Sequence, residues 1–146
     1  MIQPRPTITE KTAAIAWAHA WNTHDLSLLA PLVHENLRVL DQRRWDPTIG
    51  GPHFLSMLAD YFACVPLAKI STRMELATLP RSTGDHRPLR PCVIEYRFDR
   101  PTSTILFRVH AGTIRLIERR LLPPPTDCVL SGVCPGLDSD PLEVVN

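Results

Sequence analysis

Apolar residues in the first half of the chain recur at helical spacing. Steps of three and four residues predict a first helix that opens at Thr9, with an apolar face of Ala14, Trp17, Ala18 and Trp21. A second helix is predicted after Asp25, and Pro31 keeps it short or bent. A third helix is predicted from Pro52, since proline suits the first helical position.

The second half of the chain changes to the two-residue alternation that is typical of strands. A first strand is predicted at residues 37–42, ahead of the third helix, and four more follow from Lys69 onward. The last two, Ser103–His110 and Thr113–Leu122, join at Ala111-Gly112 as a tight hairpin. Helices followed by consecutive hairpins predict an α+β fold with an antiparallel sheet covered by helices on one face.

Length and composition indicate one globular domain. The chain has 146 residues, of which 44% are hydrophobic and 21% charged, so it can bury a core without disulfides or metals. We expect a single domain over residues 1–122 and a Pro-rich, irregular tail over residues 123–146. The net charge of +1 gives no reason to expect nucleic acid or an anionic membrane as a partner.

Compartment and metal content follow from what the sequence lacks. No apolar run approaches the roughly 20 residues that cross a bilayer, and the N-terminus has no secretory signal, so we expect a cytoplasmic protein. Cys128 and Cys134 in the tail could form a disulfide loop or half a metal site, but a cytosolic chain favours two free thiols. The histidines show no metal-binding spacing, so neither metal nor cofactor is expected.

The stretch Trp17-Ala-His-Ala-Trp-Asn-Thr-His-Asp-Leu26 resembles the end of the first helix in the nuclear transport factor 2-like superfamily. This superfamily includes ketosteroid isomerase and the SnoaL-like cyclases, and the order of elements agrees with it over residues 9–122. The resemblance implies a cone-shaped, curved antiparallel sheet packed against three N-terminal helices, with a pocket inside the cone. Laid against bacterial ketosteroid isomerase, the chain from Trp17 to about Tyr61 aligns without a gap. Asp41 then falls on the aspartate that shuttles the proton.

Two positions depart from the isomerase pattern. Trp17 stands where the isomerase has its oxyanion-stabilising tyrosine, and an indole N–H donates one hydrogen bond but cannot share a proton as a phenol does. Ile105 stands where the isomerase has a neutral carboxylic acid. The resemblance therefore implies the base without the usual oxyanion hole, and we do not expect steroid isomerisation by the known arrangement.

The limonene epoxide hydrolases provide a second resemblance. Arg97-Phe-Asp99 is similar to their Arg-x-Asp pair, while Arg119 stands where they have a later aspartate. Strand alternation disfavours this match, because Arg97 and Asp99 face away from the cone if Tyr96 lines it.

The candidate catalytic residues are Asp41, Arg119 and His53. An aspartate in an apolar cone is a candidate general base, because desolvation favours proton uptake by a carboxylate. The alternative is a structural ion pair of Asp41 with Arg119 or Arg43. An inward Arg119 would favour an anionic or carbonyl-bearing ligand, whereas an outward one would be solvated or at a dimer interface. His53, at a helix start, is a candidate acid/base partner.

Five aromatic residues are candidates for the walls of a pocket, although residues at such spacing can equally be plain core: Trp17, Trp21, Tyr61, Tyr96 and Phe107. We hypothesise a cofactor-independent enzyme that transfers protons on a mostly apolar small molecule, as an isomerase, cyclase or epoxide hydrolase. The alternative is a non-catalytic small-molecule-binding or dimerisation module. Apolar residues on both sides of Thr104–Leu122 predict a homodimer through the sheet.

Overall fold

Helices lie early and strands late in the computed structural model of the chain, which describes residues 8–41, 48–66, 71–80, 90–121 and 127–137. The described helices are α1 (Glu10–Thr23) and α2 (Gly51–Cys64), with a 3-10 turn at Ala30–Leu32. The described strands are β1 (Val33–Asp41), β2 (Thr48–Ile49), β3 (Thr72–Leu79), β4 (Arg90–Arg97), β5 (Arg100–His110), β6 (Thr113–Arg120) and β7 (Val129–Leu130).

The described strands form one sheet in the order β2-β1-β6-β5-β4-β3-β7. β1 and β6 run parallel, and the other neighbouring pairs are antiparallel. β3 to β6 are the predicted meander, and Ala111 and Gly112 both have positive φ, as a two-residue turn between twisted strands requires. The predicted α+β class, with a curved open sheet, is therefore confirmed.

The prediction of three N-terminal helices is wrong for the described residues. The stretch after Asp25 contains only the 3-10 turn, with Pro31 inside it. Proline has no N–H to donate and its ring clashes with the preceding turn, so an α-helix does not continue there. The chain enters β1 at Val33 instead, earlier than the predicted start at Leu37.

Both α-helices cover the same face of the sheet. α1 is capped by Thr9, whose hydroxyl accepts a hydrogen bond from the Thr12 amide at 3.2 Å, and the helix contacts β3, β4 and β5. α2 contacts β1. The main core lies between these helices and the inner face of the sheet, where Leu37, Phe107 and Ile117 are fully buried. No helix in the described ranges is long and apolar enough to cross a membrane.

The segment 127–137 packs against the far edge of the sheet, within the stretch expected to be an irregular tail. β7 pairs with β3, and Cys128 joins Cys92, Ile94 and Leu106 in a second apolar cluster on the outer face. Cys128 and Cys134 are both buried, and they are not joined by a disulfide. Residues 123–126 and 138–146 of the expected tail lie outside the described residues.

Asn22, near the end of α1, fastens this segment to the rest of the fold. Its side-chain amide donates to the carbonyls of Met74 and Pro135, each at 2.9 Å, and its oxygen accepts from the Met74 amide at 2.8 Å. Backbone groups buried away from water need such partners. The asparagine of the Trp17–Leu26 stretch therefore joins α1, β3 and the C-terminal segment.

Candidate functional site

A cavity of about 180 Å³ opens between the helices and the inner face of the sheet. Its helix side is formed by Trp17 and Trp21 of α1 and by Phe54 and Met57 of α2. Its sheet side includes three apolar residues, Val39, Ile105 and Ile117, and four charged ones, Asp41, Glu95, Arg97 and Arg119. The lining is thus an apolar chamber with a charged group on the sheet.

The aromatic wall follows from helical spacing. Trp17 and Trp21 are one helical turn apart, so both indoles project from the same side of α1 with ring centroids 5.8 Å apart. Phe54 of α2 stacks on Trp17 at 6.0 Å with nearly parallel rings. Among the described residues, neither indole N–H has a hydrogen-bond partner. The wall therefore carries two indole N–H donors without a partner in the described part of the chain.

Strand register brings the charged residues together. β1 and β6 pair so that Asp41 lies beside Arg119, and β6 pairs with β5 so that Arg119 lies beside Ile105. Neighbouring residues in register point to the same face of a sheet, so these side chains share the cavity. Arg119 Nη1 donates to Asp41 Oδ2 at 3.3 Å.

Glu95 on β4 anchors the other side of Arg119. Its carboxylate is only 4% exposed and accepts hydrogen bonds from Arg119 Nη2, from Ser103 Oγ at 2.8 Å and from Thr102 Oγ1 at 3.2 Å. Arg119 Nε donates to the same Ser103 hydroxyl at 3.1 Å. The guanidinium therefore bridges Asp41 and Glu95, and a buried carboxylate with this many donors is well compensated for desolvation.

Arg97 stands at the exposed side of this group. Its side chain is 49% exposed, and its Nη2 lies 3.9 Å from Glu95 Oε2, which is too long for a hydrogen bond. Arg97 therefore contributes positive charge while its N–H donors remain available to water or to a ligand.

The structure brings four of the predicted site residues to the cavity: Asp41, Arg119, Trp17 and Trp21. Ile105, the residue at the position of the isomerase's second acid, also lines it. The predicted ion pair of Asp41 with Arg119 is present, whereas Arg43 lies outside the described residues.

The remaining predicted residues lie elsewhere. Tyr96 belongs to the outer cluster, where burial and then the nearby Glu75 raise the pKa of its phenol. Phe107 is fully buried and packs edge-on against Trp17 without lining the cavity. Tyr61 is 43% exposed and contacts Trp21, and His53 is exposed on α2; neither belongs to the lining.

Sequence reasoning missed Glu95 and placed Arg97 outside the cone because it assigned β4 the opposite orientation. Residues on both faces of this strand are buried, with Val93 in the main core and Ile94 in the outer cluster, so hydrophobicity does not distinguish the faces. The signal that could have found them is complementarity between strands, since Glu95 faces both a serine and an arginine. Asp99, by contrast, lies in the exposed turn between β4 and β5, outside the lining.

The described residues contain no group of three or more histidine, cysteine, aspartate or glutamate side chains arranged to hold a metal ion.

Comparison with known proteins supports the fold. No protein-family model and no curated protein matches the sequence. Among solved structures, an NTF2-like protein of unknown function from Cytophaga hutchinsonii matches with a TM-score of 0.50 and 11% identity, over 80% of this chain and 93% of that one.

Two further solved structures are similar to a lesser degree. A protein with a ketosteroid isomerase-like fold from Catenulispora acidiphila matches with a TM-score of 0.47 and 18% identity, over 77% of this chain and 86% of that one. An LEH-like epoxide hydrolase from M. tuberculosis matches with a TM-score of 0.44 and 15% identity, over 76% of this chain and 84% of that one. The fold assignment depends on the Cytophaga protein, whose TM-score is the highest of the three. The chain therefore has the nuclear transport factor 2-like fold.

Proposed function

We propose that this chain is a small, cofactor-independent enzyme that transfers protons on a mostly apolar small molecule, as an isomerase, a cyclase or an epoxide hydrolase does. Asp41 is the proposed general base. The observation that carries the proposal is the cavity, because its walls are largely apolar and Asp41 is one of the few charged groups that line it. A carboxylate that meets its substrate in such a chamber is suited to general base catalysis.

Arg119 is the proposed electrostatic partner of Asp41. When a base removes a proton from the carbon next to a carbonyl, the electron pair moves toward the carbonyl oxygen, which becomes negative. A guanidinium lining the same cavity stabilises that charge. Because Glu95 and Ser103 hold Arg119 in place, its charge requires little reorganisation during the reaction. The proton can then return from Asp41 to the same or another carbon, so the cycle consumes no cofactor.

One observation favours a second candidate, a module that binds a small molecule without changing it. Asp41 is paired with Arg119, which is the arrangement expected of a structural ion pair. A binding module requires the cavity and the ion pair but no chemistry. The two candidates make different predictions for Asp41→Asn. The enzyme should lose turnover in this variant, whereas a binding module shows no turnover with or without the carboxylate.

Exchange of carbon-bound protons with solvent tests proton transfer without knowledge of the natural substrate. Acetophenone dissolved in D2O with the protein should lose its methyl proton signal in NMR spectra faster than it does in buffer. Asp41→Asn should lower this enzymatic rate by about 10²–10⁴-fold, the contribution usual for a positioned base. Hydrolysis of cyclohexene oxide is the parallel assay for an epoxide substrate.

Asp99→Asn is the matched control for Asp41→Asn. It makes the same chemical change in an exposed turn outside the cavity, where asparagine tolerates the positive φ of 62°. Exchange should be unaffected in this variant. If wild type neither exchanges acetophenone protons faster than buffer nor hydrolyses cyclohexene oxide, or if the two variants behave alike, the binding module is the better description.

The homodimer through the sheet stays a prediction. Ile94 and Leu106 of the outer face are buried within the single chain, where Cys128 of the C-terminal segment contributes part of their cover. The dimer interface would use the remaining outer face of β5 and β6. Light scattering tests it, since a dimer mass is expected and a monodisperse monomer would refute it.

A further inference from the structure

The volume of the cavity limits the size of its ligand. At about 180 Å³ it is close to the roughly 150 Å³ of an apolar protein cavity that binds benzene, and well below the roughly 300–1,000 Å³ of pockets for drug-sized ligands. The space therefore matches one six-membered ring with a small substituent.

Most of the side chains that line the cavity cannot move apart to admit a larger molecule. Trp17, Phe54, Ile105 and Ile117 are all at least nine-tenths buried within the main core, and a close-packed core resists expansion. Met57 is different, because it is 40% exposed and its unbranched side chain adapts easily. Any widening of the cavity is thus confined to the side of α2 that carries Met57.

The charges of the lining balance within the described residues. Asp41 and Glu95 are two carboxylates, and Arg97 and Arg119 are two guanidinium groups. Arg119 pairs with both carboxylates, and Arg97 lies beside Glu95. A ligand with a net charge would therefore add a partly buried charge without a counterpart, which is costly.

The polar end of the ligand can be a hydrogen-bond acceptor. The N–H groups of Arg97 make no hydrogen bond of normal length to the described residues, as its contact with Glu95 is 3.9 Å. A carbonyl oxygen at the sheet side of the cavity would receive a hydrogen bond there. The ring would then lie between the indoles and the apolar strand residues.

We infer that the cavity binds an uncharged, single-ring molecule with a carbonyl or similar oxygen at one end. The inference deepens the proposed function by naming its substrate class, and it depends on that proposal only for the identity of the site. Its tests measure binding, so they remain informative if no turnover is found.

The size limit is tested with two ketones that differ by one ring. Acetophenone should give saturation-transfer NMR signals with the wild-type protein, and 2-acetonaphthone should bind at least about ten-fold more weakly, a difference of about 1.4 kcal/mol. Met57→Ala should recover binding of 2-acetonaphthone, whereas Leu55→Ala, at a half-buried site of α2 outside the lining, should not. Equal binding of the two ketones to wild type would overturn the size limit.

The charge argument is tested with probes of the same size. Benzoate and benzylammonium should each bind wild type at least about ten-fold more weakly than acetophenone. Arg97→Gln leaves the lining with an excess of negative charge and should raise the affinity for benzylammonium relative to acetophenone. Arg108→Gln is the control, because Arg108 is exposed on the outer face and has a similar 3.9 Å contact with Glu118.

The outcomes separate this inference from the proposed function. Acetophenone binding with neither proton exchange nor hydrolysis of cyclohexene oxide supports the inference and refutes the proposed enzyme. If the protein exchanges the protons of 2-acetonaphthone as fast as those of acetophenone, the proposed enzyme function stands and the inference about ligand size is overturned. Tight binding of benzoate or benzylammonium to wild type, or no binding of acetophenone, also overturns it.

Discussion

Removal of the Arg119 guanidinium should lower the free energy of unfolding far more than removal of the guanidinium of Arg120, its neighbour on the same strand. Arg119→Met keeps most of the aliphatic stem but deletes the guanidinium that bridges Asp41 and Glu95. Both carboxylates are then left partly or fully buried with one donor fewer. Breaking a buried ion pair from one side typically costs about 3–5 kcal/mol of unfolding free energy. For a chain of this length, that loss lowers the melting temperature by roughly 6–20 °C.

Urea unfolding at neutral pH measures the loss, with Arg120→Met as the control. Arg120 follows Arg119 in β6 but faces the other side, where its partner is Glu118, and its side chain is about one-third exposed. Ion pairs of that kind contribute about 0–1 kcal/mol. Adding Glu95→Gln to Arg119→Met should restore part of the stability, since the uncompensated charge is removed. If Arg119→Met costs no more than Arg120→Met, the reasoning about the buried cluster is refuted.

Three further predictions concern backbone and pH. Burial lowers the pKa of His24 below its ordinary value of 6.5, and this effect is larger than the opposing effect of its backbone hydrogen bond. His24 therefore contributes stability that is present above pH 6.5 and lost on acidification. His24→Asn should flatten the change in urea midpoint across that pH, and an unchanged slope would contradict this. Gly136→Ala should lower the free energy of unfolding more than Gly112→Ala. Both glycines have positive φ, so the backbone strain is shared. A Cβ on Gly136 would lie 2.4 Å from the Thr23 methyl, whereas a Cβ on Gly112 meets nothing within 4 Å in the described chain. Equal losses in urea unfolding would argue against the clash. Phe98→Asn should raise the unfolding free energy by about 1 kcal/mol, because the phenylalanine has a φ of 49°, which asparagine tolerates better, and is 81% exposed, so it gains little from packing. A lower unfolding free energy in the variant would contradict this and would mean that the Phe98 side chain makes stabilising contacts.

The sequence predicted those parts of the fold that depend on local pattern. Thr9 caps the first helix as expected, and the alternation after Lys69 corresponds to the meander of β3 to β6. A 3-10 turn replaces the second predicted helix, because Pro31 interrupts the helical hydrogen bonding that the apolar spacing alone predicts. The parallel pairing of β1 with β6 was not predicted, because it joins segments that are distant in sequence.

The site was predicted in part for the same reason. Asp41 was found through its alignment with a known base, and Arg119 through its strand, but their proximity depends on the β1–β6 register. Glu95 was missed because β4 is buried on both faces, and alternation alone cannot assign an inner face to such a strand. Tyr96 was placed in the pocket by the same wrong assignment.

The rate of methyl proton exchange in acetophenone, measured in D2O with wild type and Asp41→Asn at equal ketone occupancy, tests the central claim most directly. The account predicts that wild type accelerates exchange over buffer and that Asp41→Asn binds the ketone as well but exchanges about 10²–10⁴-fold more slowly. Bound ketone whose protons exchange at the same rate in both proteins would contradict the role of Asp41 as the base.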